Sequence, residues 1–362
     1  MPRTVPPLSR WRQARRLLLI VTFLALSALP PALAAPLALP EYTCVVRSMV
    51  ADPAGRLWLG SFGAGLWVVE GDRVAPVLDA QGQHPSRRLS RLLLDGHRLW
   101  VATAGEGLLC YDTRRRAWVP VVPDPGPDFR ALHGLARDAA GRLLIGSVGS
   151  GAAVLDGGAW HRLGRAQGLG DDWINDIVPD ADSVWFATNR GVFRLPVPSA
   201  TPATPAPAPP APATAPWADW LYPDDTCCGP DAWENPEVNV LLPSPPHVFL
   251  GTMADGAFRL APGDKRQKIP LTRGSIQALL RWRDSLWVAG AQGLWSVQQP
   301  DDRFVVADTT GPWERSCPFK SLAVSPTGSL LAGTLDGRVF ETRDGLSFTL
   351  ILHFADGAFR RP

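Results

Sequence analysis

A unit of about 42 residues recurs seven times along this 362-residue chain, and no other feature restricts its fold as strongly. The first copy shows every part. Val46 to Ala51 is an apolar, β-rich run; Asp52-Pro53-Ala54-Gly55 is a turn; Leu57-Trp58-Leu59-Gly60-Ser61 is a strand; Gly63-Ala64-Gly65 turns again; and Leu66 to Val69 returns. Counterparts of Trp58 stand at Trp100, Leu144, Trp185, Phe249, Trp287 and Leu331, at spacings of 42, 44, 41, 64, 38 and 44. Short strands at this period, with no stretch of helical amphipathicity, predict an all-β chain folded as a seven-bladed β-propeller. A composition of 46% hydrophobic and 19% charged residues excludes a disordered chain, a coiled coil and collagen.

The 64-residue spacing holds Pro196 to Pro216, a Pro/Ala/Thr tract that cannot pack a core. It is expected to be an extended insertion in blade four between the third and fourth strands, with Trp217 to Tyr222 resuming the sheet. The first 34 residues read as a secretory signal peptide: five arginines and no acid, an apolar run from Leu17 to Leu29, then Pro30-Pro31 and Ala32-Leu33-Ala34. A helix of 13 residues would span about 20 Å of a roughly 30 Å bilayer core, so cleavage after Ala34 is expected rather than anchoring. Residues 35–362 would then be the propeller, periplasmic or secreted, monomeric, with no membrane span and in an oxidising compartment. They carry 31 basic against 34 acidic side chains, a balance without the basic footprint of a nucleic-acid binder.

The pieces Asp52-Pro53-Ala54-Gly55-Arg56-Leu57-Trp58-Leu59-Gly60-Ser61 and Gly168-Leu169-Gly170-Asp171-Asp172-Trp173-Ile174-Asn175-Asp176-Ile177 resemble the two-component-regulator propeller repeat. The resemblance covers essentially all of residues 35–362. It implies an extracytoplasmic sensor of the kind borne by membrane-bound histidine kinases, often recognising saccharides or other small molecules. This chain departs from that pattern in showing no kinase, cyclase or DNA-binding region after the repeats, so a signalling role calls for a separate partner. The repeat speaks for blade geometry rather than for chemistry.

In a propeller the first strand of each blade lines the axis. The loops leading into it share a face with the hairpins between second and third strands, here termed the mouth face. Aligned on Val46, Leu89, Leu132, Ile174, Val238, Ile276 and Phe319, the next residues are Arg47, Ser90, His133, Asn175, Asn239, Gln277 and Lys320. All seven are polar in otherwise apolar strands, which places them at a wet channel mouth. There they either bond the incoming loops or meet a ligand, with Arg47 and Lys320 suited to an anion and the amides to hydroxyls.

The mouth loops also carry Trp173, Trp233 and Trp313, whose indoles suit stacking on a sugar ring or a partner's apolar side chain. The acid pairs Asp171-Asp172 and Asp224-Asp225 read as solvated turn residues before they read as cation ligands. Of five cysteines, Cys110 falls inside the third strand of blade two as a buried thiol. Cys44 and Cys317 hold the same register in the first and last blades. A bridge between them would fasten the ring through a 273-residue loop, contributing roughly 5 kcal/mol, provided their Cα atoms approach within about 7 Å. Cys227 and Cys228 could bridge each other, or one could take Cys317. No Cys-x-x-Cys or close His-Cys set supports a metal site, and no motif calls for a cofactor.

No Gly-x-Ser-x-Gly, His-Glu-x-x-His or phosphate-loop motif occurs; the Gly-x-Gly pieces fall where hairpins need positive φ. The expected role is therefore non-catalytic: a ligand-binding sensor or interaction module for a small molecule, a saccharide or an extracytoplasmic protein. The alternative is a propeller lyase, hydrolase or quinoprotein using His133, Arg47 and Lys320 at the channel mouth.

Overall fold

The second strands decide the architecture, because their side chains are buried on both faces. In Leu57–Phe62 every residue but the last is buried. Trp58 and its neighbour Leu59 point to opposite sides of the sheet, as the period-2 geometry of a strand requires, and enter two different apolar cores. Such a strand is stable only between two other sheets, and a ring of sheets meets that need for every member.

The computed structural model describes residues 44–180, 183–196, 237–261, 265–299, 303–313 and 317–362. They form seven antiparallel sheets in a ring, each blade built from consecutive strands: a seven-bladed β-propeller, with two short 3₁₀ turns and no longer helix among the described residues. The innermost strands are Val45–Ala51, Leu89–Asp95, Leu132–Arg137, Ile174–Pro179, Val238–Ser244, Ile276–Trp282 and Phe319–Val324. Blade four shows three strands among the described residues, the third being Gly191–Pro196. Residues 197–236, which include nearly all of the Pro/Ala tract and Trp217 to Tyr222, lie outside the described residues, as do residues 1–43 with the segment read as a signal peptide.

One apolar core fills each gap between neighbouring blades. Trp58, Trp100, Leu144, Trp185, Phe249, Trp287 and Leu331 each enter the gap between their own blade and the next. The rest of the repeat motif is explained by the same packing. The Ser or Thr that ends the motif turns its hydroxyl back to close the hairpin: Ser61 donates to the Gly65 carbonyl at 3.1 Å, and Thr103, Ser147, Thr188 and Thr252 repeat the bond. The small residue before it makes room for the next innermost strand. A Cβ on Gly146 would lie 2.6 Å from Ile174 Cγ2, and one on Gly251 2.5 Å from Ile276 Cγ2. The turn Asp52 to Arg56 is held by one carboxylate that accepts from the amides of Ala54 and Arg56, from Arg56 Nε at 2.6 Å and from Trp58 Nε1 at 2.9 Å.

The ring closes between blade seven and blade one. The Ser321 hydroxyl donates to the Val46 carbonyl at 2.8 Å, Trp67 and Phe359 meet edge to face at 5.6 Å, and Arg361 donates to the Gly71 carbonyl at 2.6 Å. The expected Cys44–Cys317 bridge is absent. Equal register is the reason. In a rotary array, equivalent residues point into successive gaps, so Cys44 enters the core between blades seven and one while Cys317 enters the core between blades six and seven. The whole sheet of blade seven stands between them. Burial pushes the Cys44 thiol up to about 12, against the opposing effect of its hydrogen bond with Ser61. Cys110 lies in the third strand of blade two, its thiol pushed by burial up to about 11. Cys227 and Cys228 fall outside the described residues.

A channel mouth as candidate functional site

Each innermost strand carries a β-bulge near its start, and the extra residue is the predicted polar one. The pairing with the second strand skips between Val46 and Ser48, Leu89 and Arg91, Leu132 and Gly134, Ile174 and Asp176, Val238 and Val240, Ile276 and Ala278, and Phe319 and Ser321. A bulged residue leaves the ladder and its side chain is re-aimed. Here the new direction is inward: Arg47, Ser90, His133, Asn175, Asn239, Gln277 and Lys320 all line one cavity of about 860 Å³ on the axis.

Bonding divides the seven. Ser90 donates to the Leu132 carbonyl at 2.5 Å, Asn175 to the Val238 carbonyl at 2.8 Å and Asn239 to the Ile276 carbonyl at 3.0 Å. Each of these bonds runs from one blade to the start of the next innermost strand, so these three side chains sew the inner rim. Asn175 also donates to Asn189, and Gln277 donates to Ser275. Arg47, His133 and Lys320 differ. None of them has a hydrogen bond or ion pair among the described residues, although Arg47 lies 6.0 Å from the Phe62 ring centroid. By surface area Arg47 is exposed, yet protein surrounds it; the water it touches is that of the channel.

The electrostatics follow from that enclosure. Burial, then repulsion from Arg47, lowers the Lys320 ammonium to about 8. His133 falls to about 4 through burial first and then the charges of Arg47 and Arg91, so its imidazole is neutral at pH 7. The sequence reading missed the counter-charge. Asp176 is buried, accepts from Arg91 of blade two at 2.6 Å and from the Leu241 amide of blade five at 3.1 Å, and thus spans the channel from blade four. Its signal was legible: an acid in Ile174-Asn175-Asp176-Ile177, and an arginine in Leu89-Ser90-Arg91-Leu92, both interrupt apolar strands.

The aromatic candidates separate. Trp173 lies on the cavity wall, 40% exposed, with Met253, 43% exposed, on the same rim. Trp313 instead packs edge to face on Phe319, Phe340 and Phe348, each 5.0 Å away, within the core between blades six and seven. Trp233 falls outside the described residues. Asp171 and Asp172 both face Arg165, at 3.4 and 3.5 Å, as turn residues neutralised by a cation; Asp224 and Asp225 are outside the described residues.

No family model matches the sequence, and no curated protein matches it. Solved structures do. The extracellular domain of the hybrid two component system BT4673 from B. thetaiotaomicron superposes with a TM-score of 0.60 at 17% identity, over 88% of this chain and 39% of that one. That of BT3049 from the same organism gives 0.60 at 12% identity, over 87% and 46%. Virginiamycin B lyase from Staphylococcus aureus gives 0.57 at 10% identity, over 83% and 95%. At such identities the likeness shows the propeller fold. The chain spans less than half the length of these two extracellular domains. Among the described residues no helix is long and apolar enough to cross a membrane.

Proposed function

We propose that this chain is an exported, non-catalytic propeller of the two-component-regulator repeat type that binds a small ligand at its channel mouth and reports it to a separate signalling partner. The observation that carries the reading is the bulge ring: seven polar side chains turned into one axial cavity, three of them without bonding partners among the described residues. A volume of about 860 Å³ suits a ligand of one or two sugar rings, within the range usual for small-molecule sites. The likeness to extracellular domains of two-component systems agrees with such a role, and the N-terminal arginines followed by Leu17 to Leu29 agree with export.

Thermal unfolding against a panel of neutral and acidic saccharides, organic acids and amines tests it. A ligand present at about 100 times its dissociation constant adds roughly 2.7 kcal/mol, raising the midpoint by a few degrees. A shift that His133→Ala and Gln277→Ala diminish supports the site. No shift with any member, together with no binding by equilibrium dialysis, overturns it.

A further inference from the structure

Resting on the ligand-binding reading of the mouth, the charge distribution within the cavity selects a ligand class. Four cationic side chains line the wall: Arg47, Arg91, Arg137 and Lys320. Arg91 is neutralised by Asp176, and Arg137 by Asp95. The acid Glu237 leads into blade five, two places round the ring from Lys320, and has a partner of its own. Arg47 and Lys320 therefore remain as two positive charges on adjacent blades, one and seven, with no counter-charge among the described residues. Enclosing two like charges without a partner is unfavourable unless something else neutralises them.

The opposite wall differs in kind. Blade four lies across the ring from the junction of blades seven and one, and its mouth loop presents the Trp173 indole; Met253 of blade five lines the same cavity. Both present exposed apolar surface, Trp173 as the one Trp, Tyr or Phe ring on the cavity wall among the described residues. Trp173 directly precedes Ile174, as Arg47 directly follows Val46, so indole and cations lie at the same end of the innermost strands. We propose that the mouth binds an organic anion built on a ring, its charged group held between Arg47 and Lys320 and its ring laid against Trp173. Charge-assisted bonds at one pole and stacking at the other fix both ends of such a molecule. A bare inorganic anion meets only the first pole, and a neutral sugar only the second.

Calorimetric titration of the purified full chain at pH 7 with glucuronate, 4-hydroxybenzoate, glucose and inorganic sulfate separates these cases. At least one ring-bearing anion should bind, with glucose and sulfate weaker by about tenfold or more. Arg47→Gln and Lys320→Gln should each weaken the ring anion by about tenfold to a hundredfold, the range expected for losing one hydrogen bond to a charged group. Trp173→Ala should weaken the ring anion and leave sulfate unchanged. As a measurement independent of any variant, raising the pH from 7 to 9 should weaken the ring anion as Lys320, which shares the cavity with Arg47, Arg91, His133, Arg137, Asp176 and Glu237, loses its proton near 8. Glucose binding as tightly as glucuronate, or ring-anion affinity unchanged in the Arg47→Gln/Lys320→Gln double variant, would overturn the assignment while leaving the mouth a ligand site. Silence from all four probes overturns it as well; silence from the wider panel removes the ligand-binding reading with it.

Discussion

The hydroxyl of Ser321 donates a hydrogen bond to the carbonyl oxygen of Val46 across 275 positions of sequence, at 2.8 Å. The same Val46 side chain occupies the place a Cβ would take on Gly333, which would stand 2.7 Å from Val46 Cγ1 and 2.5 Å from Ser321 Oγ. One seam therefore carries both the polar and the steric complementarity that join the last blade to the first.

Gly333→Ala should destabilise the protein by about 1–3 kcal/mol, the usual cost of overpacking a tight interface, and Ser321→Ala by about 1 kcal/mol for a lost buried hydrogen bond. Urea unfolding monitored by tryptophan fluorescence reads both. A Gly333→Ala protein as stable as wild type would mean that the closing seam has slack the distances deny.

The cysteines make a second prediction. With Cys44 and Cys317 in different cores, peptide mapping under non-reducing conditions should find no peptide joining them. Thiols raised to about 12 at Cys44 and about 11 at Cys110 supply almost no thiolate at pH 8, so both should resist alkylation in the native state and react once denatured. Rapid native labelling of Cys44 would contradict its place in the core.

His133 sets a pH dependence. Its ordinary value is 6.5 and the folded protein holds it near 4, through burial and then the facing charges of Arg47 and Arg91. Lys320 and Asp176 line the same cavity. Between those two values the unfolded chain binds the proton more readily than the folded one, so acidification favours unfolding across that window. His133→Asn removes the titration. Going from pH 7 to 4.5, the variant should lose less stability than wild type, by on the order of 1–2 kcal/mol. Parallel losses measured by urea unfolding at each pH would show that His133 is freely hydrated.

Much of the site was legible before any fold was known, and two physical limits explain the remainder. Polar residues following seven aligned apolar ones marked the mouth, because each blade repeats the same local geometry. Nothing local distinguishes Asn239, which bonds the Ile276 carbonyl, from Lys320, which has no hydrogen bond or ion pair among the described residues; that depends on what the adjacent blade presents. Trp173 and Trp313 likewise sit in similar loops, yet one faces the cavity and the other three phenylalanines.

By itself, then, the sequence determined the blade, the number of blades and the inward row of polar side chains, because strand alternation, hairpin glycines and the Ser/Thr hairpin bond are short-range and written in every copy. Tertiary structure alone decided the seam at Val46 and Ser321, the separation of Cys44 from Cys317, and the two cations left without a counter-charge among the described residues. These are relations between neighbouring blades, whose contacting residues lie tens to hundreds of positions apart, and packing rather than local preference settles them.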